Sequence, residues 1–347
     1  MIVNNIKLAY LYVRRVWLVK SHFNISLFNK IKANLRGYIS DQYILYNLKE
    51  HNIKNYLSEM DWHCSRFINQ PFEFVLNNKV ICNQVLSHYV RVPEIFAIKT
   101  GSQILATGNN YSIYNLRDVF ELVKQHKKLF LKPYLGGKGS DVYYLEYIED
   151  QFLVNKQVKI DKDILKLCNK LNNWILCEAI EQHSYANNFY DKTFNTIRIV
   201  TVRNIETHQM DVVFAVQRIG TSKTIPVDNG SKGAIIAKID LETGILSFAK
   251  SLHNLTTYTK HPNSQKVIEG VVIPNWEKIK QQIMALANQF SYLHLIAWDI
   301  LVMQDGNICV VEANNSTGVN VLQLWGGLKQ HSFGQFLKYY KKQNKVL

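Results

Sequence analysis

The spacing of apolar positions divides the chain. Residues 1–70 read mostly as helix; within them, SDQYILYNLKEHNIKNYLSEM predicts a helix whose N-terminus Ser40 or Asp41 caps. In residues 71–127, NNKVICNQVLSHYV predicts a helix, PEIFAIKTG a strand and NLRDVFELVKQHKK a second helix. In residues 128–185, LFLKPYLGGKGSDVYYLEYI reads as strand, Gly-rich loop, strand, and KDILKLCNKLNN as a helix leading to the buried strand WILCEAI. The last part, residues 186–347, turns strand-rich from Thr193. FNTIRIVTVRN and QMDVVFAVQRIG predict neighbouring antiparallel strands, and GAIIAKIDLETGILSFAK predicts a hairpin. PNWEKIKQQIMALANQFSYL predicts a helix with Pro274 near its start. A hairpin over Leu295–Gly318 and the basic helix SFGQFLKYYKKQNK close the chain. The order predicts an α+β fold with a Gly-rich lid in its middle.

The last hairpin, LIAWDILVMQDGNICVVEANNSTG, sets one acid in each of two apolar runs. With Asp305-Gly306 as the central pair of a type I′ turn, Gln304 pairs with Asn307 and Asp299 falls opposite Glu312. Directly opposed residues hold their Cβ atoms about 4.5–5.5 Å apart on one face. Asn314 shares that face. Trp298, Ile300, Val302, Val310 and Val311 make the surroundings apolar, where two opposed carboxylates repel and lose hydration. A cation answers both costs. Mg²⁺ suits oxygen donors and completes its shell with water and phosphate. The plain alternative is a pair of strand-end acids facing solvent or neutralised by arginine. A slip of one residue would carry Asp299 to the other face.

A phosphate cradle would go with such a metal. In LKPYLGGKGSD a strand delivers Lys132, and Gly136, Gly137 and Gly139 let backbone N–H groups approach phosphate oxygens. The stretch is not a P-loop, since Lys138 is followed by Gly. No G-x-G-x-x-G opens a helix, and no kinase H-R-D or D-F-G set occurs.

Taken in order, these stretches resemble the ATP-grasp superfamily. They look most like its branch associated with sugar transfer and surface-polysaccharide synthesis, which is related to amino-acid and D-alanine ligases. The resemblance covers roughly residues 72–330. It implies an ATP-grasp fold, two α+β subdomains gripping ATP, preceded here by a helical N-terminal region. It implies that Lys79 reaches ATP, that Lys132 is the phosphate lysine, and that Gly136, Gly137, Lys138, Gly139 and Ser140 form the phosphate-covering loop. WILCEAIEQH resembles the hinge strand, with the backbone of Ala179 and Ile180 reading the adenine edge and Glu178 and Glu181 taking amino or ribose contacts. Arg198 resembles the arginine near the transferring phosphate, and VDNGSKGAIIAKIDLETG the loop and strand that bring Lys238 or Lys232 to the site. Asp299, Glu312 and Asn314 resemble the Mg²⁺ ligands. One position departs: where related ligases carry an arginine two residues before the metal aspartate, this chain has Ala297. That role passes to Arg198 or Arg218.

The implied reaction is ATP-dependent ligation of a carboxylate to an amine through an acyl-phosphate. The branch implies an amino acid joined to a sugar, such as a uronic acid of a bacterial surface glycan, free or linked to a nucleotide or lipid. Arg218, Asp228, Asn229 and His261 are the candidate substrate contacts; Trp276 reads as a packing residue. Two other readings stand: an ATP-grasp phosphotransferase, or a non-enzymatic protein that binds an anionic polymer.

Composition narrows the partners. The 347 residues are 47% hydrophobic and 20% charged, enough for a large core and two or three subdomains. A net charge of +14 favours anionic partners without choosing among them. The basic clusters VRR, KQHKK and KYYKKQNK are spread along the chain and form no nucleic-acid motif, which argues against nucleic acid. Five scattered cysteines without C-x-x-C exclude a zinc or disulfide framework and predict buried, reduced thiols in a cytoplasmic protein. Arg14, Arg15 and Lys20 interrupt the apolar start MIVNNIKLAYLYVRRVWLVKSHF, which is neither a signal peptide nor a spanning helix. A helix lying on a partner or a membrane surface stays open. No feature specifies an oligomeric state.

Overall fold

A computed structural model of the chain describes residues 2–107, 113–136 and 141–343. It contains two antiparallel sheets. The first is built from β1 (Ile95–Thr100), β2 (Gln103–Ala106), β3 (Ile113–Tyr114), β4 (Lys128–Lys132), β5 (Tyr143–Ile148), β6 (Gln151–Val154), β7 (Gln157–Lys159) and β8 (Asn173–Glu178), in the order β3-β2-β1-β8-β4-β5-β6-β7. The second is built from β9 (Ile197–Arg203), β10 (Met210–Ile219), β11 (Ile235–Ile239), β12 (Leu246–Ser251), β13 (Thr257–Tyr258), β14 (Leu295–Val302) and β15 (Ile308–Asn314), in the order β13-β12-β11-β10-β9-β14-β15. Strands from residues 71–127 and from 128–185 thus share one sheet. The α+β class and the strands expected from the apolar pattern are present.

Helices cover these sheets. In the first, the helices Leu116–His126 and Asp161–Lys170 contribute Val119, Phe120, Val123, Ile164 and Cys168 to a core with Leu129, Leu131 and Trp174. In the second, both faces are covered. Helix Trp276–Asn288 packs Ile279, Ile283 and Ala287 against Ile197, Ile199 and Trp298 on one face. On the other, Leu57 and Ile68 join Phe333, Phe336 and Leu337 of helix Ser332–Gln343 against Val200, Val202 and Ala297. All eight residues of β14 are therefore buried. A strand covered on both faces needs no polar alternation, which is why LIAWDILV reads as one apolar run.

Residues 1–70 are mostly helical, as expected, with the helices broken differently in detail. Ile39, not Ser40 or Asp41, is the N-cap of helix Ser40–Leu45. Its backbone N–H donates to the Gln42 side chain at 3.2 Å. Asp41 instead accepts from the Ser21 hydroxyl at 2.7 Å and the His22 backbone at 2.9 Å. The helix stops after Leu45 because Asn47 takes the left-handed conformation at φ +49°, with Asn47 N–H on Ile44 C=O and Leu48 N–H on Tyr43 C=O, both at 3.0 Å. Further along, Leu57 N–H and C=O both bond the Gln323 side chain, at 2.7 and 2.9 Å. Helix starts again at Glu59–Ser65, capped by Ser58. Asn69, fully buried, bonds His294, Leu295 and Asn315. The N-terminal region is thus stitched to the second sheet and closes one of its faces. Pro274 lies near the start of helix Trp276–Asn288, as expected, just before the N-cap Asn275. Trp276 packs as expected, buried with its Nε1–H on the Leu241 carbonyl at 3.0 Å. All five cysteines are buried free thiols.

Asp61 joins the two ends of the chain. Its carboxylate accepts from Ser58 N–H at 2.7 Å and pairs with Lys341 of the last helix. Burial pushes its pKa up, and the Lys341 charge and hydrogen bond outweigh that to hold it below the usual carboxylate value. A depressed folded-state pKa gives stability that is present above the unfolded value of about 4 and is lost as the pH falls through the folded one. Asp61→Asn should cost about 1–3 kcal/mol at neutral pH. In urea titrations across the acid range, wild type and variant should converge below the carboxylate range; a constant gap would rule out the ionised pair.

Candidate active site

The Leu295–Gly318 hairpin opposes Asp299 and Glu312, by a route other than the expected one. The turn has three residues, Gln304–Gly306, closed by Gly306 N–H on Met303 C=O at 2.9 Å and Met303 N–H on Asn307 C=O at 2.8 Å. Gly306 sits at φ +76°, and a Cβ there would meet Asn275 Nδ2 at 2.3 Å. Val302 therefore pairs with Ile308 and Ile300 with Val310, one step off the two-residue register. A bulge at Val311 restores the count, so Asp299 pairs with Glu312 and Ala297 with Asn314. The Val310 N–H turns to the Arg91 carbonyl at 2.9 Å.

Cross-strand pairing places Lys238, Val216, Arg198, Asp299 and Glu312 in one row over five strands. Arg198 grips Asp299 with two bonds, Nε–Oδ1 at 2.5 Å and Nη2–Oδ2 at 2.8 Å. Arg218 Nη2 lies 3.4 Å from Asp299 Oδ2 and 3.1 Å from Asp228 Oδ1. Thr196 gives Asp228 both its N–H, at 2.5 Å, and its O–H, at 2.7 Å. Burial pushes Asp299 up, and Arg198 and Arg218 overcome it, holding the carboxyl below its ordinary range. For Asp228 burial prevails over Arg218 and Thr196, and its pKa rises. Arg218 is made more basic by Asp228, Asp299 and Glu312 against the burial that opposes its charge. Ala297 is core, fully buried between Val200 and Asn314.

Glu312 faces a cleft between the sheets. Lys79, the first residue of helix Lys79–Leu86, is placed there because Asn78 caps that helix and Lys79 N–H bonds Tyr134 C=O at 3.0 Å. Its Nζ lies 3.3 Å from Glu312 Oε1 and donates to Gly136 C=O at 2.9 Å. Lys79, Lys132 and Glu312 line a solvent-open pocket of about 380 Å³ whose walls include Ile95, Ile175, Cys177 and Val311. Gly136 has φ +93°, a conformation that suits glycine at the start of the lid. Gly137, Lys138, Gly139 and Ser140 lie outside the described residues. Ala179 and Ile180 follow β8, where the chain crosses to the second sheet through a Gln182–Met303 bridge and a His183 N–H bond to Val302 at 2.7 Å. Ile180 is buried against Leu301 and Cys309 beside Val311, as the floor of the crossing. Glu178 is held by Arg91 Nη2 at 2.6 and 2.5 Å, and Glu181 by Lys128 at 3.0 Å on the surface.

The remaining candidates are placed differently. Lys238 shares the Arg198 row and is exposed. Asn229 caps the short turn Gly230–Lys232, its Oδ1 accepting from Ser231. His261 is fully buried. One ring nitrogen meets the Gly220 carbonyl at 2.8 Å, the other takes the backbone N–H groups of Asn263 and Ser264, and the ring stacks on Tyr190. Such a ring presents no surface to a substrate. Sequence reasoning missed Arg91, Thr196 and Thr317, whose hydroxyl lies 3.3 Å from Arg198 Nη1. Thr196 had a signal, since strand alternation sets it on the Arg198 face; Arg91 had none.

Among the described residues no three His, Cys, Asp or Glu side chains cluster as metal ligands. Two carboxylates and the Asn314 amide remain as hard oxygen donors. That donor set fits Mg²⁺, which binds through one or two carboxylates and keeps water and phosphate in its shell. Arg198 competes for the same Asp299 oxygens.

The sequence profile of the family described as sugar-transfer associated ATP-grasp matches residues 60–332. No curated protein matches the sequence. Among solved structures, the chain is similar to N5-carboxyaminoimidazole ribonucleotide synthetase in its ADP complex, at 12% identity over 92% of this chain and 64% of that one, TM-score 0.45. It is similar to D-alanyl-alanine synthetase A from Vibrio cholerae O1 biovar eltor str. N16961, at 12% identity over 78% and 65%, TM-score 0.44. It is also similar to the D-cycloserine synthetase DcsG, at 11% identity over 82% and 79%, TM-score 0.43. The match thus spans less than two thirds of the first two proteins' length.

Removing one member of the Arg198–Asp299 pair should strand a buried charge. Arg198→Met is expected to cost about 3 kcal/mol, and adding Asp299→Asn to recover part of it. Guanidinium unfolding of the two singles and the double measures this; a double variant as unstable as the sum of the singles would show that the pair is not coupled.

Proposed function

The chain belongs to the sugar-transfer associated ATP-grasp family, and from that premise we propose that it is an ATP-dependent carboxylate–amine ligase joining an amino acid to a sugar carboxylate. The observation that carries the reading is the convergence of Lys79, Lys132 and Glu312 on one cleft, beside the Arg198–Asp299–Arg218 cluster. These groups come from five distant stretches of sequence, and packing alone does not require them together.

In this reading the nucleotide lies between the sheets. The backbone of Ala179 and Ile180 meets the adenine edge, and Lys79 and Lys132 hold phosphate oxygens. Asp299, Glu312 and Asn314 would hold Mg²⁺, which when bound spreads charge over the phosphates. The substrate carboxylate attacks the γ-phosphate, giving an acyl-phosphate and ADP. Arg198 and Arg218 neutralise the charge on the transferring group. The amine then displaces phosphate to form the amide. No protein nucleophile is needed; positioning and exclusion of water by the Gly-rich lid carry the rest. Lys238, exposed at the far end of the Arg198 row, would meet the anionic sugar, with Asn229 as a further contact. A uronic acid of a bacterial surface glycan would supply the sugar carboxylate.

ADP release measured over panels of acidic sugars and amino acids tests this. Turnover that requires both a carboxylate and an amine is the expected result; turnover with a hydroxyl acceptor and no amine would make the protein a phosphotransferase. Glu312→Gln should lower turnover about a hundredfold or more with an unchanged melting temperature, and substantial residual activity would sink the metal assignment. Lys132→Ala should weaken binding of an ATP analogue in calorimetry, and unchanged affinity would remove that lysine from the phosphate site.

A further inference from the structure

Helix Leu27–Asn34 is turned inside out. Its Ala33 and Asn34 are fully buried, while Leu27, Phe28 and Leu35 just past its end are 73%, 75% and 67% exposed and Ile31 is also exposed. At 100° per residue these four side chains occupy an arc of about 100°. Lys30 and Lys32 flank the arc, one on each side. The preceding helix, Ile2–Tyr12, shows the same habit: Ile6 and Tyr10 are exposed at i, i+4 spacing, and Val13 and Leu18 continue beyond it. The two helices are tied together by the Tyr12 hydroxyl on the Asn34 carbonyl at 2.5 Å. Their inner sides are anchored through Val16 and through Ala33, which packs with Tyr38 and Tyr43.

Charge in this region is one-sided. The first 40 residues carry Lys7, Arg14, Arg15, Lys20, Lys30, Lys32 and Arg36 and not one Asp or Glu. Half of the net charge of +14 thus sits in about a ninth of the chain. We propose that this apolar, acid-free face docks on the surface of an anionic lipid bilayer. Leu27, Phe28, Ile31 and Leu35 enter the acyl boundary, and the flanking lysines and arginines meet the headgroup phosphates. Tyr10, with Arg14 bonded to its hydroxyl at 3.1 Å, sits at headgroup level, where amphipathic rings favour the interface. Among the described residues no helix is long and apolar enough to cross a membrane, so the contact is one of lying on the surface. A second copy is a poor occupant, because pairing this face with itself would set basic side chains against basic side chains with no acid in the first 40 residues to pair them. The inference does not rest on the ligase reading, and its test does not use turnover.

The full chain is mixed with phosphatidylcholine vesicles, with and without phosphatidylglycerol, and the bound fraction is measured by flotation at low and high salt. Binding that needs the anionic lipid and weakens with salt is expected. Leu27→Ser with Phe28→Ser should lower the vesicle affinity about tenfold or more, and Lys30→Gln with Lys32→Gln and Arg36→Gln should remove the preference for anionic lipid. All five side chains lie at the surface, so melting temperatures should stay unchanged. No binding, or equal binding to both vesicle types, would overturn the proposal. So would a dimer in light scattering that Leu27→Ser with Phe28→Ser converts to monomer, since the face would then belong to a second copy.

Discussion

A carboxylate removed from water must find its counter-charge inside the protein, and Asp299 is such a group. It stands on a strand buried over its whole length, so neither solvent nor strand-end freedom can neutralise it. The answer comes from the sheet. Arg198 is its register partner on β9, and Arg218 reaches it from β10 while also holding Asp228. The four side chains form a neutral quartet. Glu312 and Lys79 make a second neutral pair across the cleft. In the proposed ligase reading a triphosphate and its metal would enter by exchange: cations would leave carboxylates for phosphate oxygens, and carboxylate oxygens would pass to the metal.

The geometry of that exchange depends on one hairpin holding two sheets together. The bulge at Val311 frees the Val310 N–H, and the Arg91 carbonyl takes it. Arg91 in turn clasps Glu178 at the end of β8. Four residues later the chain pairs with Met303 at the hairpin turn, and Ile180 fills the space between. The Ala179–Ile180 segment and the Leu295–Gly318 hairpin are thus two walls of one joint. A shift in either would carry Glu312 relative to Lys79, which is why the bulge belongs to the site and is no defect in the strand.

Much of this was legible in the sequence, and the exceptions have physical causes. The strands and the hairpin follow from apolar period and glycine placement. The Asp299–Glu312 pairing was reached through two steps that cancel: a three-residue turn in place of two, and a bulge. Val310 and Val311 are both apolar, so their pattern carries no trace of the inserted residue. Ser40 and Asp41 look like caps because their side chains can accept from a helix N-terminus. Asp41 is taken by Ser21 and His22, a choice made in three dimensions. His261 and Asp228 have the chemistry of substrate contacts, and burial turns that chemistry inward. A single sequence shows what a side chain can bond, and its neighbours in space decide what it does bond.

Charge shows the same division. Read over the whole chain, +14 points to an anionic substrate. Placed in the fold, the balance splits. The first 40 residues hold half of it with no acid among them, and within the cleft Lys79, Arg198 and Arg218 each lie against a carboxylate. The basic character of the sequence therefore belongs more to the outer N-terminal face than to the cleft. Lys132 differs from the other cleft cations: among the described residues no acid holds it, and it lies by the Cys177 thiol, which burial pushes up and Lys132 draws back down. A phosphate arriving in the cleft would meet the other cations only after they release an acid. Lys132 has none to release, and in the proposed reading it would be the first contact in that exchange.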